Sequence, residues 1–174
     1  IQQGDQMIEQ LVAEIKTNHI APQGSLLSLQ ACVRATLKAY RMRHPQEIHL
    51  DLLEDYRIDT SFNHLQYAII HILQFLHAHH LGDEVRLRTT RQQGLQMRLP
   101  GQALPPALLH DLCTLFPAKA TAKHPGLAIS KLLIEAQGGR LLYATSTLPH
   151  NAYTEFIISL PPAEEKPRTG VEVV

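Results

Sequence analysis

The sequence predicts a two-layer α/β sandwich, an α+β domain with helices on one face of a mixed, mainly antiparallel sheet, preceded by an N-terminal helix. Two observations predict it. Apolar residues recur at three and four in some segments and at two in others, in the order helix, helix, strand, helix, two strands, helix, helix, two strands. A chain of 174 residues that is 44% hydrophobic and 18% charged is also long and apolar enough to fold around one core without staples.

The elements follow in order. Met7, Ile8, Leu11, Val12 and Ile15 give an amphipathic helix from Asp5 to about Asn18, with Asp5 able to cap it. Ala21-Pro22-Gln23-Gly24 breaks it. Ser25 or Ser28 then caps a helix carrying Leu29, Cys32, Val33, Leu37 and Tyr40, which ends before His44-Pro45 because the residue preceding proline avoids helical dihedrals. Ile48, Leu50 and Leu52 alternate with His49 and Asp51 as a strand. A third helix runs from about Ser61 to His79 with Leu65, Ala68, Ile69, Ile72, Leu73 and Leu76 on one broad face. Val85 and Leu87, then Leu95, Met97 and Leu99, form a hairpin turning at Gly94. After Pro105-Pro106 comes a short helix with Leu108, Leu109, Leu112 and Leu115, and after a loop holding Pro117 and Pro125 a helix from Gly126 to Gln137, stopped by Gly138-Gly139. Arg140 to Ala144 and Thr154 to Leu160 close the chain as two strands.

Charge narrows the function. Sixteen basic side chains balance sixteen acidic ones, so no excess of Lys and Arg argues for nucleic acid or a membrane surface as partner. Arg86, Arg88, Arg91 and Arg98 lie along the hairpin without interleaved aromatics and read as a solvated strand face. Cys32 and Cys113 form no C-x-x-C motif, which fits a reducing, cytoplasmic setting. No apolar run approaches the ~20 residues that span a bilayer. Starting at Ile1 and ending in the polar stretch Pro161 to Arg168, the chain reads as a fragment of something larger. The unusual figure is eleven histidines, which at face value suggests metal or acid–base chemistry.

With these words in these places, residues 25–162 resemble the catalytic and ATP-binding domain of bacterial sensor histidine kinases, which belongs with gyrase to the Bergerat, or GHKL, ATPases. Ser28 to Tyr40 with Ile48 to Asp51 looks like the opening helix and first strand, and the helix around Leu65 to Leu76 sits where the family carries its asparagine box. Gly126-Leu127-Ala128-Ile129-Ser130-Lys131 followed by Glu135 to Arg140 resembles the second glycine box and its helix, and Thr154 to Pro161 the closing strand. The resemblance divides the chain into the end of a dimerisation helix and linker (1–22), the ATPase-like domain (23–162) and a tail (163–174).

The resemblance implies three nucleotide-binding devices, and each is eroded. The asparagines that give Mg²⁺ a neutral oxygen ligand appear as His71 and Phe75, and a benzene ring cannot ligate a hard cation. The D-x-G-x-G turn that reads adenine appears as Leu99 to Ala103, with Leu99 for the aspartate, Gly101 kept and Ala103 for the last glycine. The phosphate loop reads Ala122-Lys123-His124-Pro125-Gly126, with Gly126 alone retained and one N–H donor removed by Pro125. Thr154 completes the family's nucleotide positions. Each lost buried or charge-assisted hydrogen bond costs ~1.5–3 kcal/mol, and ~1.4 kcal/mol is tenfold in affinity. Nucleotide binding weaker by orders of magnitude is expected.

Two histidine groups need separate weighing. His110-Asp111-Leu112-Cys113-Thr114 matches the phospho-acceptor pattern H-[DE]-L-x-T, making His110 the one candidate catalytic residue. The pattern stands where the family has its short lid helix, so His110 reads as an exposed lid residue. His71, His77, His79 and His80 crowd one helix and its end, but no Cys or carboxylate joins them at regular spacing and no metal site is expected. The leading expectation is a degenerate ATPase-like domain of a two-component signalling protein, acting through protein contacts such as a receiver domain, with no cofactor. The alternatives are a divergent active kinase that uses ATP and Mg²⁺, and an ATP-independent phosphotransferase-like adaptor. The stripe of the Asp5 to Asn18 helix is long enough to pack on a partner, including a second copy.

Overall fold

The computed structural model describes residues 26–44, 47–79, 84–115 and 124–163, with backbone alone for 111–115. The elements are β1 (Leu26–Ser28), α1 (Leu29–Arg41), β2 (Glu47–Leu52), β3 (Arg57–Asp59), α2 (Phe62–Ala78), β4 (Glu84–Thr90), β5 (Gly94–Pro100), α3 (Pro106–Leu115), α4 (Pro125–Glu135), β6 (Arg140–Ser146) and β7 (Tyr153–Ser159). The predicted Asp5 to Asn18 helix and the tail beyond Ala163 lie outside the described residues.

Local chemistry sets the helix starts. Of the two serines, Ser28 caps α1: its hydroxyl oxygen accepts from the Ala31 N–H at 3.1 Å. Asp55 adds a second layer, its carboxylate taking the Ser28 hydroxyl at 2.5 Å and the Gln30 N–H at 3.1 Å. Helix α4 begins one residue earlier than predicted, with Pro125 in its first turn, where a missing N–H breaks no helical bond. Gly138, at φ +78°, ends the turn that follows it. Gly94 is needed twice over at the hairpin turn, because its φ is +78° and a Cβ there would lie 2.3 Å from the Ile158 carbonyl oxygen.

The main sheet has five strands in the order β2-β4-β5-β7-β6. β2 runs parallel to β4, with α2 lying between them in the chain, and every other pairing is antiparallel. Leu87, Met97, Phe156 and Tyr143 are cross-strand partners on one face. On that side they join Val33 and Leu37 of α1, Leu65, Ile69, Ile72 and Leu76 of α2, and Leu127 and Ile134 of α4 in a single core. The opposite face carries Arg86, Arg88 and Arg98, each met by an acid, Arg86 by Glu84 at 2.8 Å, Arg88 by Asp51 at 3.1 Å and Arg98 by Glu155 at 3.4 Å, while Arg91 lies in the turn between β4 and β5. Arg98 also lies 4.2 Å above the Tyr153 ring.

The sequence pattern missed a second ladder. β1 and β3 pair antiparallel as a two-stranded sheet, and the chain leaving β7 extends it through a bridge between Ile58 and Pro162. No helix among the described residues is long and apolar enough to cross a membrane.

Candidate functional site

Helices α2 and α4 pack side by side, and one stripe of α2 supplies the seam. His64, Ala68, His71 and Phe75 recur at three and four along it, and His79 continues it just past the helix. His71 is half-buried and packs its ring against Tyr67 at 4.0 Å between centroids. Its other neighbour is Gly126 in the first turn of α4, where a Cβ would lie 2.3 Å from His71 Nδ1. Glycine is therefore kept at 126 by the imidazole that faces it. Burial pushes the His64 and His71 pKa values down and that of Tyr67 up, so all three side chains favour their neutral forms.

One helical turn on, the seam closes in a cluster of rings. Phe75 is buried and meets His79 at 4.6 Å, His124 edge-on at 5.1 Å and Phe156 of β7 at 5.8 Å. His79 and His124 are 5.4 Å apart, and Tyr143 of β6 stands 6.4 Å from Phe156. Edge-to-face packing at these distances is cohesive. The positions that the resemblance assigns to metal ligands thus hold a phenyl ring inside an aromatic cluster and an imidazole tilted against a tyrosine.

The end of β5 is closed by the chain itself. Leu99 is fully buried and pairs with Thr154 across the β5–β7 ladder. Gly101 turns the backbone at φ +82° and donates its N–H to the Ala152 carbonyl at 2.8 Å. The buried Thr154 hydroxyl donates to the Gln102 carbonyl at 2.9 Å. The Leu104 N–H donates to the Thr145 hydroxyl oxygen at 3.0 Å, and that hydroxyl in turn donates to the Tyr153 carbonyl at 3.2 Å. Loop residues 101–104 are thereby fastened to β6 and β7, with Ala103 half-buried and Leu104 buried in the core.

Of the residues singled out in the sequence, His71 and Gly126 meet across the seam, Phe75 and His124 share the ring cluster, and Leu99 with Thr154 lie side by side under the loop. His110 is exposed on α3. Residues 116–123 and His80 lie outside the described residues. Among the described residues, no three His, Cys, Asp or Glu side chains converge as a metal set. Sequence reasoning placed His79 among the helix-end histidines without joining it to Phe75, and it missed Phe156 and the Thr145–Leu104 tie. His79 follows Phe75 by four and was within reach of the periodicity, whereas no local signal brings Phe156 to Phe75.

The fold is that of histidine-kinase catalytic domains. The histidine kinase AdeS of Acinetobacter baumannii superposes with a TM-score of 0.61 at 14% identity, over 88% of this chain and 76% of its own. The ATP-binding domain of PrrB from Mycobacterium tuberculosis gives 0.58 at 17% identity, over 81% and 98%. The histidine kinase domain of the E. coli osmosensor EnvZ gives 0.58 at 17%, over 82% and 91%. No family model and no curated protein matches the sequence.

Proposed function

We propose that this chain is a histidine-kinase-type ATPase domain that has given up its nucleotide and works through protein contacts within a two-component signalling protein in the bacterial cytoplasm. The observation that carries the reading is the ring cluster of Phe75, His79, His124 and Phe156, which includes two positions, Phe75 and His124, that the resemblance assigns to metal and phosphate binding. Loop 101–104, tied down through Thr154 and Thr145, supports it at the adenine end. The residues present do not fit an Mg²⁺–nucleotide: a hard cation needs oxygen donors, and His71 and Phe75 offer none. With Leu99 in place of a carboxylate, an adenine amino group would find no side-chain acceptor there.

The partner would be a receiver domain or another protein of the same signalling system, and the segment preceding residue 26 would supply dimer contacts. Titration calorimetry of a non-hydrolysable ATP analogue with Mg²⁺ tests the reading. The expected result is no saturable heat into the millimolar range, and micromolar affinity overturns it. Labelled ATP then separates the active-kinase alternative: phosphate appearing on a histidine of a longer chain would favour that alternative.

A further inference from the structure

The contact between the end of α4 and the start of α2 rests on one amide, and its chemistry fixes the state of a histidine. Gln137 Oε1 accepts the Ser61 N–H at 3.1 Å, and its Nε2 donates to the Leu133 carbonyl at 2.9 Å. Turning the amide over would set N–H against N–H at Ser61 and oxygen against oxygen at Leu133, so the orientation is determined. Nε2 then presents its remaining hydrogen to His64 Nδ1, 2.9 Å away. A donor there requires an acceptor, so His64 is neutral, with its proton on Nε2. The same amide does the work of a cap for α2, whose flanking Ser61 makes no side-chain capping bond.

We propose that Gln137 and His64 form a proton-sensitive latch between α2 and α4, closed while His64 is neutral and released when a proton on Nδ1 turns its acceptor into a donor. Release costs the His64 bond and drives the amide away from Ser61 and Leu133, freeing the first turn of α2 from the end of α4. The surroundings leave this imidazole to set the response. Along α2, Tyr67 and His71 lie one and two turns on, Tyr67 neutral and His71 biased neutral by burial. On α4, Lys131 and Glu135 are paired with each other at 2.6 Å. From α1, Cys32 and Tyr40 are titratable, and burial, joined for Cys32 by Asp55, raises both away from the neutral range. Asp59 is exposed at the end of β3, before the start of α2. Burial lowers the His64 pKa, which places release below the ordinary imidazole value of 6.5. The latch depends on hydrogen bonds within the chain and stands whether or not the domain binds nucleotide.

Long-range ¹H–¹⁵N NMR of the full chain reads the His64 tautomer directly. The expected spectrum at pH ~7.5 shows Nδ1 as the unprotonated nitrogen, and a proton on Nδ1 overturns the proposal. Amide exchange, corrected for intrinsic rates, should show protection at Ser61 falling about tenfold as His64 titrates, the weight of one hydrogen bond. Protection that stays level through the titration also overturns it. In Gln137→Glu, a carboxylate facing Nδ1 should raise the His64 pKa above its wild-type value and keep Ser61 protected in acid. An unchanged His64 pKa in that variant counts against the latch, and the wild-type tautomer decides the matter if the variant does not fold.

Discussion

The one space between α2 and α4 that glycine alone fits is at residue 126, and two opposing effects meet there. Alanine is the better helix former by about 1 kcal/mol, but its methyl group would press on His71 Nδ1 and Cγ at 2.3 and 2.9 Å. The ring has Tyr67 packed against it at a tilt, so it cannot swing away without losing that contact. Overpacking of this kind costs about 1–3 kcal/mol, so Gly126→Ala should destabilise. Thermal unfolding checks it, and Gly126→Ala combined with His71→Ala should recover much of the loss, because the clash needs both partners. A stabilised single variant would contradict the packing. The same seam sets a pH dependence. His64 and His71 have folded-state pKa values below the ordinary 6.5, so as pH falls the unfolded chain takes up protons first. Stability is complete above that value and declines as pH drops towards and through the folded values. Urea unfolding at pH ~7.5 and ~5.5 should give a lower midpoint in acid, with most of the difference removed in a His64→Gln, His71→Gln double variant.

At the scale of elements, two polar side chains join pieces far apart in sequence. Asp55 holds the start of α1 through Ser28 and Gln30, and Asp55→Ala should cost about 1 kcal/mol, the typical weight of a helix cap, seen as faster amide exchange in the first turn of α1. The buried Tyr56 hydroxyl donates to the Leu160 carbonyl at 3.0 Å, just past the end of β7. Tyr56→Phe leaves that carbonyl without its donor, and a loss of about 1–3 kcal/mol in chemical unfolding is expected. These ties mark what the sequence could not disclose. The helices and the β4–β5 hairpin announce themselves because their apolar spacing persists over several turns or alternations. β1 and β3 are three residues each, too short to show a period, and they exist because Asp55 and Tyr56 bring their ends together. The resemblance singled out His71, Phe75 and Leu99 one by one. Their packing was not, since Phe156 lies 81 positions from Phe75 and reaches it only through the sheet.

For the whole molecule, the proposed loss of the nucleotide site could come from a few point changes on an intact pocket or from a pocket rebuilt as core. On that proposal the contacts fit the second. Leu99 is fully buried beside Thr154, Leu104 has entered the core, and Phe75 bridges α2 to β7. On an intact pocket, returning a carboxylate at 99 would restore part of the affinity at little structural cost. In a rebuilt one it would place a charge among apolar side chains, with the Thr154 hydroxyl already committed to the Gln102 carbonyl. Leu99→Asp should then destabilise the domain by several kcal/mol, on the order of 3–5, as a buried charge without a partner does, and gain no measurable nucleotide binding. Phe75→Asn should likewise lose about 3 kcal/mol or more of aromatic packing without creating a metal site, because the single oxygen it adds would face imidazoles and Phe156. Chemical unfolding and calorimetry on the same variants separate the outcomes. Near-wild-type stability with recovered Mg²⁺–nucleotide binding would mean that the pocket persists beneath its substitutions; loss of stability with no binding is what a core built across the old site requires.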